Sequence, residues 1–333
     1  MRSLIFTQPS STSDSSEVVN VAVPSPGPGQ VSVAVSHAGI NFIDVMARRG
    51  DSGYTSSWPY VPGCEVVGIV AEIGPGVTGL GRGQRVAAFT RGGGLAEVAV
   101  ADAALVVPLP DSVDPLIAAA APLTLATALL LLQDVARLRP GERLLMHSAS
   151  GGLGNAVGQM ATALDVGLMI GTVGREDKLA AAEDNGWGVA IVRDDKLASS
   201  VQSLAGGVDV VLDPTGTGLL GIDFEVAAPG ARIVLFGNAA GGELAALPPA
   251  GQLIGANVAI AGFSMTRLAA AAPKRVSEAL RRVLEMLAAG RLDPSATPVE
   301  SLDAVPSVHD QLAERRGAGK YVAIVGPQYG EAA

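Results

Sequence analysis

The chain has little of several things that would place it in a specialised class. Its 333 residues include one cysteine, Cys64, so an intrachain disulfide and a four-cysteine structural zinc site are both excluded. Uninterrupted apolar runs of about 18 residues, the length of a membrane span, are absent, and the closest stretch, 116–132, contains Pro122. The opening residues MRSLIFTQPS lack the apolar segment of a signal peptide. We therefore expect a cytoplasmic protein with no membrane association.

Positive charge is also scarce. Lys and Arg total 23 against 32 for Asp and Glu, which gives a formal net charge of −9. Such a chain binds nucleic acid poorly by bulk electrostatics, so we expect no nucleic-acid partner, although a local basic pocket for a phosphate stays open. Hydrophobic residues make up 48% and charged residues 17%, which is the composition of a globular protein with a large core, and the length favours two domains.

The first third of the chain is predicted to form short β-strands separated by Pro- and Gly-rich turns. The clearest candidates are Gln30–Val35, Val66–Ile73, Arg85–Phe89 and Leu95–Val100. Many short strands of this kind favour a small barrel or sandwich. A helix rich in alanine and leucine is predicted over Asp114–Leu132, interrupted around Pro122.

From Arg143 onward, strand and helix patterns alternate. The predicted strands are Arg143–His147, Leu168–Val173, Val189–Val192, Val208–Leu212, Arg232–Phe236 and Val258–Gly262, and the predicted helices between them are Leu153–Leu164, Glu176–Asp184 and Leu197–Leu204. Alternating βαβ units imply a doubly wound parallel sheet of the Rossmann type. An amphipathic helix over Lys274–Ala289 and a strand over Lys320–Val325 follow. We therefore predict an α/β fold in which a Rossmann domain, residues 118–262, is inserted into a β-rich domain made of residues 1–117 and 263–333.

A glycine-rich turn at residues 148–154, SASGGLG, joins the first Rossmann strand to its helix. Read as A-x-G-x-x-G, the fingerprint places Ala149, Gly151 and Gly154 where a tight turn, close backbone approach to a pyrophosphate and close helix packing require small residues. The free N–H groups of the helix start would bind the phosphates. The turn therefore predicts a dinucleotide site that includes Ser150, Gly151, Gly152, Leu153 and Gly154; an ordinary Gly-rich loop is the alternative.

The end of the second Rossmann strand favours NADPH over NADH. An NAD-selective site carries an acid about 20 residues after the glycine turn, but here the strand ends with Thr172, Val173 and Gly174. Gly174 leaves room for a 2′-phosphate, and Arg175, Lys178 and Arg193 are cations that could pair with it. The alternative is that these charges are solvated groups at a helix start.

Seven segments together resemble the medium-chain dehydrogenase/reductase superfamily, specifically its zinc-free quinone oxidoreductase branch, over nearly the whole chain. They are AGINFIDVMARRG (38–50), YVPGCEVVGIVAEIGPGVTGLGRGQRV (60–86), SASGGLGNAVGQMA (148–161), GTVGREDK (171–178), VDVVLDPTG (208–216), RIVLFGN (232–238) and GKYVAIV (319–325). The resemblance implies that the β-rich domain is GroES-like and catalytic, and that the protein is a homodimer. Zinc dehydrogenases resemble this chain but place Cys where Asn41 stands and His-Glu where Cys64 and Glu65 stand. We therefore predict no metal, with Cys64 as a small buried residue.

The resemblance also assigns site residues. It implies that Asn41 lies beside the nicotinamide and ribose, where its amide could donate a hydrogen bond, and that Tyr54 lines the substrate pocket and could supply a proton, although solvent could do so instead. A turn role for Asn41 and a surface position for Tyr54 are the alternatives. Asp44 is predicted to cap a helix or to pair with Arg48 or Arg49, and His147 to be a packed core histidine. Further cofactor contacts are expected from Thr127, Phe236, Gly237, Asn238, Phe263, Ser264 and Lys320, although Lys320 could instead cap a surface strand.

These residues favour an NADPH-dependent, metal-independent reductase. Without a Lewis acid to activate an alcohol, hydride delivery to an already electrophilic carbon is favoured, such as a quinone or the β-carbon of an enone or enoyl thioester. The expected partner is therefore a small, apolar carbonyl or quinone substrate. A tailoring enoyl reductase of a biosynthetic pathway and a non-catalytic NADPH-binding protein are the alternatives.

Overall fold

The computed structural model describes residues 1–55 and 57–326. The chain divides into two compact units, which we call the first unit (Met1–Ala126 with Met265–Ala333) and the second unit (Thr127–Ser264). The domain bounds predicted from the sequence, with changes after residues 117 and 262, stay a prediction. None of the helices in the described part of the chain is long and apolar enough to span a lipid bilayer.

The strands of the described residues are joined mainly by turns in the first unit and mainly by helices in the second. They are β1 (Arg2–Phe6), β2 (Ser16–Asn20), β3 (Gln30–Ile40), β4 (Glu65–Ile73), β5 (Arg85–Phe89), β6 (Val98–Asp102), β7 (Val106–Pro108), β8 (Leu144–His147), β9 (Met169–Val173), β10 (Val189–Val192), β11 (Val208–Asp213), β12 (Ala227–Leu235), β13 (Ala259–Gly262), β14 (Ala296–Val299) and β15 (Lys320–Ile324).

The helices are mostly short. They are α1 (Phe42–Arg49), α2 (Pro115–Ala118), α3 (Ala126–Leu130), α4 (Gly152–Ala163), α5 (Leu179–Asp184), α6 (Leu197–Ala205), α7 (Leu220–Val226), α8 (Ala250–Ala256), α9 (Met265–Ala271), α10 (Pro273–Ala288) and α11 (Val305–Ala313).

The first unit is built on a sheet in the order β14-β15-β3-β4-β5-β7, with β6 also paired to β3. The strand nearest the carboxyl terminus, β15, lies antiparallel to β3, and Tyr321 faces Ile40 across the pair. This register places Lys320 next to Asn41, the residue at which β3 gives way to α1. Valines and alanines of β3, β4 and β5 form the core of this unit together with Leu4 and Phe6.

The second unit contains a six-stranded sheet in the order β10-β9-β8-β11-β12-β13, and every neighbouring pair is parallel. The predicted doubly wound parallel sheet is thus confirmed. Its central strands are mostly apolar because both faces of a parallel sheet are covered, and β8 and β9 are buried along their full length. His147 faces Thr172 across the ends of β8 and β9. Parallel strands therefore bring their carboxyl-terminal side chains to one edge of the sheet.

The segment Asp114–Leu132, predicted as a helix interrupted around Pro122, is helical with breaks, and its turns are of two kinds. The structure has the single turn α2, then a π-helical turn at Ala121–Leu125, then α3, then a second π-helical turn at Leu131–Val135. Pro122 has no N–H and cannot continue the α-helical ladder, so the helix restarts there. The restart leaves the N–H groups of Leu123 and Thr124 for acceptors outside the helix.

Candidate active site

The glycine turn of the second unit has the backbone geometry that its sequence predicts. Ser148 lies in the left-handed region at φ 63°, which turns the chain sharply at the end of β8. The amide of Ala149 then donates to Thr172 O at 3.0 Å. A Cβ on Gly154 would lie 2.2 Å from Ala149 O, so only glycine lets α4 pack this closely on the turn. Helix α4 begins after Gly151, and no side chain in the described part of the chain caps it.

Two buried side chains hold the turn from behind, and sequence reasoning missed both. Trp187 Nε1 donates to Gly154 O at 3.1 Å, and Asn185 Nδ2 donates to Ala149 O at 3.4 Å. A Cβ on Gly171 would lie 2.6 Å from the Cβ of Ala149 and 2.9 Å from the Trp187 ring. The indole therefore fits only because residue 171 lacks a side chain. The sequence feature that could have indicated these contacts is the tryptophan directly after the Asn-Gly pair at the end of α5.

The three predicted cations have different surroundings, and Arg193 is the one that lies against the tip of β9. Arg193 Nη1 lies 3.5 Å from both Ser148 Oγ and Thr172 Oγ1. Its Nη2 would lie 3.2 Å from a Cβ on Gly174, so the guanidinium rests against this glycine. Arg175 instead pairs with Asp177 at the surface, and this hydrogen bond lowers the pKa of the Asp177 carboxyl. Lys178 is buried, and desolvation lowers the pKa of its ammonium.

The remaining predicted cofactor residues of the second unit lie at or beyond strand ends. Phe236 follows β12 and donates its amide to Asp213 O at 3.0 Å. Gly237 lies so close to Pro214 that a Cβ would be 2.8 Å from its carbonyl oxygen. The Asn238 amide donates to Gly242 O at 2.8 Å. Phe263 and Ser264 follow β13, where the Phe263 amide extends the pairing by donating to Leu235 O at 2.9 Å.

Thr127 has an unusual environment for a hydroxyl. The residue is 6% exposed, and its Oγ1 has no hydrogen-bonding partner among the described residues. Burying a hydroxyl without a partner costs free energy. This is consistent with the prediction that Thr127 contacts a bound ligand, which stays a prediction.

In the first unit, Glu65 is the centre of a buried polar network. Glu65 is fully buried at the start of β4, and its Oε1 accepts from Lys320 Nζ at 2.5 Å, Asn41 Nδ2 at 3.0 Å and Thr124 Oγ1 at 3.1 Å. Its Oε2 accepts from the backbone amides of Leu123 at 2.8 Å and Thr124 at 3.3 Å. Gly39 admits this carboxylate, because a Cβ there would lie 2.3 Å from Glu65 Oε1. Sequence reasoning compared Glu65 with a zinc-site motif but gave it no role.

The network changes the expectations for Asn41 and Lys320. Asn41 Nδ2 donates to Gly39 O at 3.2 Å as well as to Glu65, and Asn41 Oδ1 accepts from Lys320 Nζ at 2.6 Å. Donation by Asn41 to a substrate or cofactor would therefore require one of its two N–H bonds to be released. Lys320 is 4% exposed and also donates to Ile40 O at 3.0 Å, so it does not cap a surface strand. Its three N–H groups have three acceptors within the network, and its predicted phosphate contact stays a prediction.

Tyr54 lines a cavity of about 120 Å³ in the first unit. The other lining residues are Ile43, Asp44, Ala47, Gly53, Tyr60, Cys64, Arg91 and Thr266. Burial raises the pKa of the Tyr54 phenol, so the hydroxyl keeps its proton at neutral pH. Burial likewise raises the pKa of the Cys64 thiol, and the prediction of Cys64 as a small buried residue is confirmed by its 5% exposure.

Asp44 acts as a cap, as one of the two predictions had it. Its Oδ2 accepts from the Asn41 amide at 2.9 Å and its Oδ1 from the Gly63 amide at 3.0 Å. The alternative pairing with Arg48 or Arg49 is wrong, because Arg48 pairs with Asp310 at 2.7 Å and Arg49 with Asp51 at 2.5 Å. Within residues 1–55 and 57–326, no group of three or more His, Cys, Asp or Glu side chains could hold a metal ion.

Comparison with known families agrees with this architecture. Residues 27–111 match the family model of the alcohol dehydrogenase GroES-like domain, and residues 152–285 match that of the zinc-binding dehydrogenases. The predicted GroES-like fold of the β-rich part is therefore confirmed. Together with the parallel sheet, these matches define a medium-chain dehydrogenase/reductase.

Individual relatives narrow the class. Quinone oxidoreductase-like protein 2 of Bos taurus is 31% identical over 307 residues, which cover 91% of this chain and 87% of that protein. The polyketide synthase system protein NorB of Streptomyces orinoci is 34% identical over 305 residues, which cover 91% of this chain but only 13% of that protein. The solved structure of Escherichia coli quinone oxidoreductase in complex with NADPH has a TM-score of 0.86 and 25% identity, and the match covers 97% of this chain and all of that one. The chain belongs to the quinone oxidoreductase-like family.

Proposed function

We propose that this protein is an NADPH-dependent reductase that delivers hydride to a quinone or an α,β-unsaturated carbonyl, and that it does so without a metal. The observation that carries the cofactor choice is the tip of β9. The strand ends without an acid, and the Arg193 guanidinium rests against Gly174, where the 2′-phosphate of NADPH is expected. The solved NADPH complex of the E. coli relative supports the same choice.

The residues of the second unit fit such a cofactor. Gly151 to Gly154 would bind the pyrophosphate through the backbone amides at the start of α4, and Thr172, Gly174, Arg175, Lys178 and Arg193 would surround the adenosine phosphate. Phe236, Gly237, Asn238, Phe263 and Ser264 stand at strand ends, where ligands of such sheets bind, and Thr127 offers a hydroxyl that lacks a partner among the described residues. Asn41 and Lys320 are the corresponding proposals from the first unit.

The acceptor class follows from what the protein can do to a substrate. NADPH supplies the hydride when it is bound. Asn41 and Cys64 stand where zinc dehydrogenases carry metal ligands, so an alcohol would lack a Lewis acid, whereas a conjugated carbonyl is already electrophilic. The phenol of Tyr54 carries a proton at neutral pH and could protonate the reduced substrate, although burial raises its pKa and makes it a weaker acid; solvent is the other source.

A tailoring enoyl reductase is the second candidate. The 34% identity to the polyketide synthase protein NorB favours an enoyl thioester as the acceptor, although the chain spans only 13% of that protein. A non-catalytic NADPH-binding protein is the third candidate.

The test is to follow NADPH oxidation by absorbance over a panel of ortho-quinones, small enones and enoyl thioesters, with matched NADH reactions. We expect turnover with NADPH well above turnover with NADH, and the best acceptor class then separates quinone reductase from enoyl reductase. NADPH binding without turnover of any acceptor would contradict the reductase proposal and favour the third candidate, a non-catalytic NADPH-binding protein. Absence of NADPH binding would overturn it.

A further inference from the structure

A chain of buried polar side chains runs beneath the glycine turn of the second unit, and none of the roles proposed above uses most of it. His147, Thr172, Asp213 and Asp223 are all fully buried. His147 Nδ1 lies 2.7 Å from Thr172 Oγ1, and His147 Nε2 lies 2.8 Å from Asp223 Oδ1. The predicted core histidine is thus confirmed as buried, but it is hydrogen-bonded at both ring nitrogens.

Asp213 lies at the far end of this series of buried side chains and is hydrogen-bonded there to Thr215. Asp213 Oδ1 accepts from both the amide and the hydroxyl of Thr215, each at 2.6 Å. Burial raises the pKa of Asp223 to about 7, against the opposing effect of a hydrogen bond with Asp213. No donor among the described residues reaches the Oδ2 atom of either carboxyl. One proton shared between Asp213 and Asp223 would satisfy both groups.

The near end of this series of side chains is Arg193, and it sets the direction of its own hydrogen bond to Thr172. A guanidinium can only donate, so Thr172 Oγ1 accepts from Arg193 Nη1 at 3.5 Å. The Thr172 hydroxyl has a second lone pair as well as its proton, so it donates to His147 Nδ1 or accepts from it according to the tautomer of the ring. Burial keeps the imidazole neutral by lowering the pKa of His147 to about 4. In the tautomer with the proton on Nε2, the ring accepts from Thr172 and donates to Asp223.

Arg193 differs from the other two candidate cations in how it is held. Arg175 is half-exposed and paired with its near neighbour Asp177. Arg193 instead lies between Ser148 of the glycine turn and two residues of the predicted dinucleotide site, Thr172 and Gly174. Because the N–O distances of 3.5 Å are long, each of these two contacts orients the guanidinium only weakly, and the Thr172 contact is made only when a Thr172 lone pair is turned toward it.

We propose that Thr172 and His147 are positioning residues for cofactor choice: His147 takes the Thr172 proton, which leaves the Thr172 oxygen to orient Arg193 toward the 2′-phosphate of NADPH. The proposal rests on the NADPH binding proposed above. NADH lacks the 2′-phosphate, so the chain of hydrogen bonds should affect the affinity for NADPH and leave the affinity for NADH nearly unchanged.

The test measures dissociation constants of NADPH and NADH by fluorescence titration for the parent chain, Thr172→Val and Thr172→Ser. We expect Thr172→Val to weaken NADPH binding about fivefold at constant NADH affinity, and Thr172→Ser, which keeps the hydroxyl, to retain the parent ratio. Thr162→Val is the matched control, because it removes a hydroxyl that donates to Gly158 O within α4. In an Arg193→Ala background, Thr172→Val should change neither constant further.

Each other outcome has a distinct meaning. If Thr172→Val weakens both cofactors equally, Thr172 is merely structural and the positioning role is overturned. The same holds if the NADPH preference survives in Thr172→Val, or if Thr172→Val still lowers it after Arg193 is removed. A parent chain without any preference for NADPH would overturn the proposed cofactor itself, and with it the positioning role.

Discussion

The two units of this protein bury charge in opposite ways. In the first unit, Glu65 lies against the Lys320 ammonium and accepts five hydrogen bonds. Its carboxylate is therefore paired with a cation, and both of its oxygens have donors. In the second unit, Asp213 and Asp223 lie beside a histidine with too few donors, and burial raises the pKa of both carboxyls. The number of donors that the fold supplies thus decides whether a buried carboxyl is matched by a cation or by a shared proton.

The largest expected effect comes from breaking the matched pair of the first unit. Glu65→Leu leaves the Lys320 ammonium buried without its carboxylate, and we expect the free energy of unfolding to fall by about 3–5 kcal/mol. The double variant Glu65→Leu/Lys320→Met should recover part of this loss, because no uncompensated charge remains. Urea unfolding followed by circular dichroism measures both. Equal stability of the single and double variants would contradict the view that the unpaired ammonium causes the loss.

A smaller and pH-dependent effect is expected in the second unit. The pKa of His147 is lowered from 6.5 to about 4, so its contribution to stability is present above pH 6.5 and is lost as the pH falls through 4. The pKa of Asp223 is raised from 3.8 to about 7, so its contribution is present below pH 3.8 and is lost as the pH rises through 7. Between about pH 4 and 6.5 the two contributions oppose each other.

The substitution Asp223→Asn should remove the opposing contribution of Asp223, so that the contribution of His147 to the pH dependence of stability can be measured. The free energy of unfolding of the variant should rise with pH between about 4 and 6.5, by up to roughly 3 kcal/mol, whereas the parent stays nearly flat over this range. Urea unfolding at several pH values measures it, with the exposed Asp184→Asn as the control. The charged neighbours that remain are Asp213 and Arg193. A parallel pH dependence in parent and variant would rule out the shared-proton arrangement.

The smallest effect sharpens the comparison at the glycine turn, where two neutral side chains, Trp187 and Asn185, donate to backbone oxygens of the turn. Trp187→Phe removes the indole donor to Gly154 O while it keeps an aromatic ring against Gly171. We expect a loss of roughly 1–2 kcal/mol from the hydrogen bond and the reduced volume. Trp58→Phe is the matched control in the first unit. Thermal unfolding that is unchanged by Trp187→Phe would show that the turn does not need this support.

The sequence was sufficient for the parts of the molecule that depend on local pattern. The parallel strands, the turn at 148–154 and the acid-free tip of β9 were all predicted, because each depends on neighbouring residues. The pairs that join distant residues were not. Glu65 and Lys320 are 255 positions apart, and His147 and Asp223 are 76 apart. Their contacts depend on the register of β15 on β3 and on the packing of α7, which no local pattern specifies.

The π-helical turn at Ala121–Leu125 has a consequence for how this protein can change over generations. Leu125 N bonds to Ala120 O, five residues back, so the turn holds one residue more than an α-helix would. The widened turn begins where Leu123 and Thr124 give their amides to Glu65. A point substitution cannot shorten the chain, and a one-residue deletion would rotate every later position of the segment by about 100°. The carboxylate and the extra residue are therefore expected to be inherited together, and to be lost together.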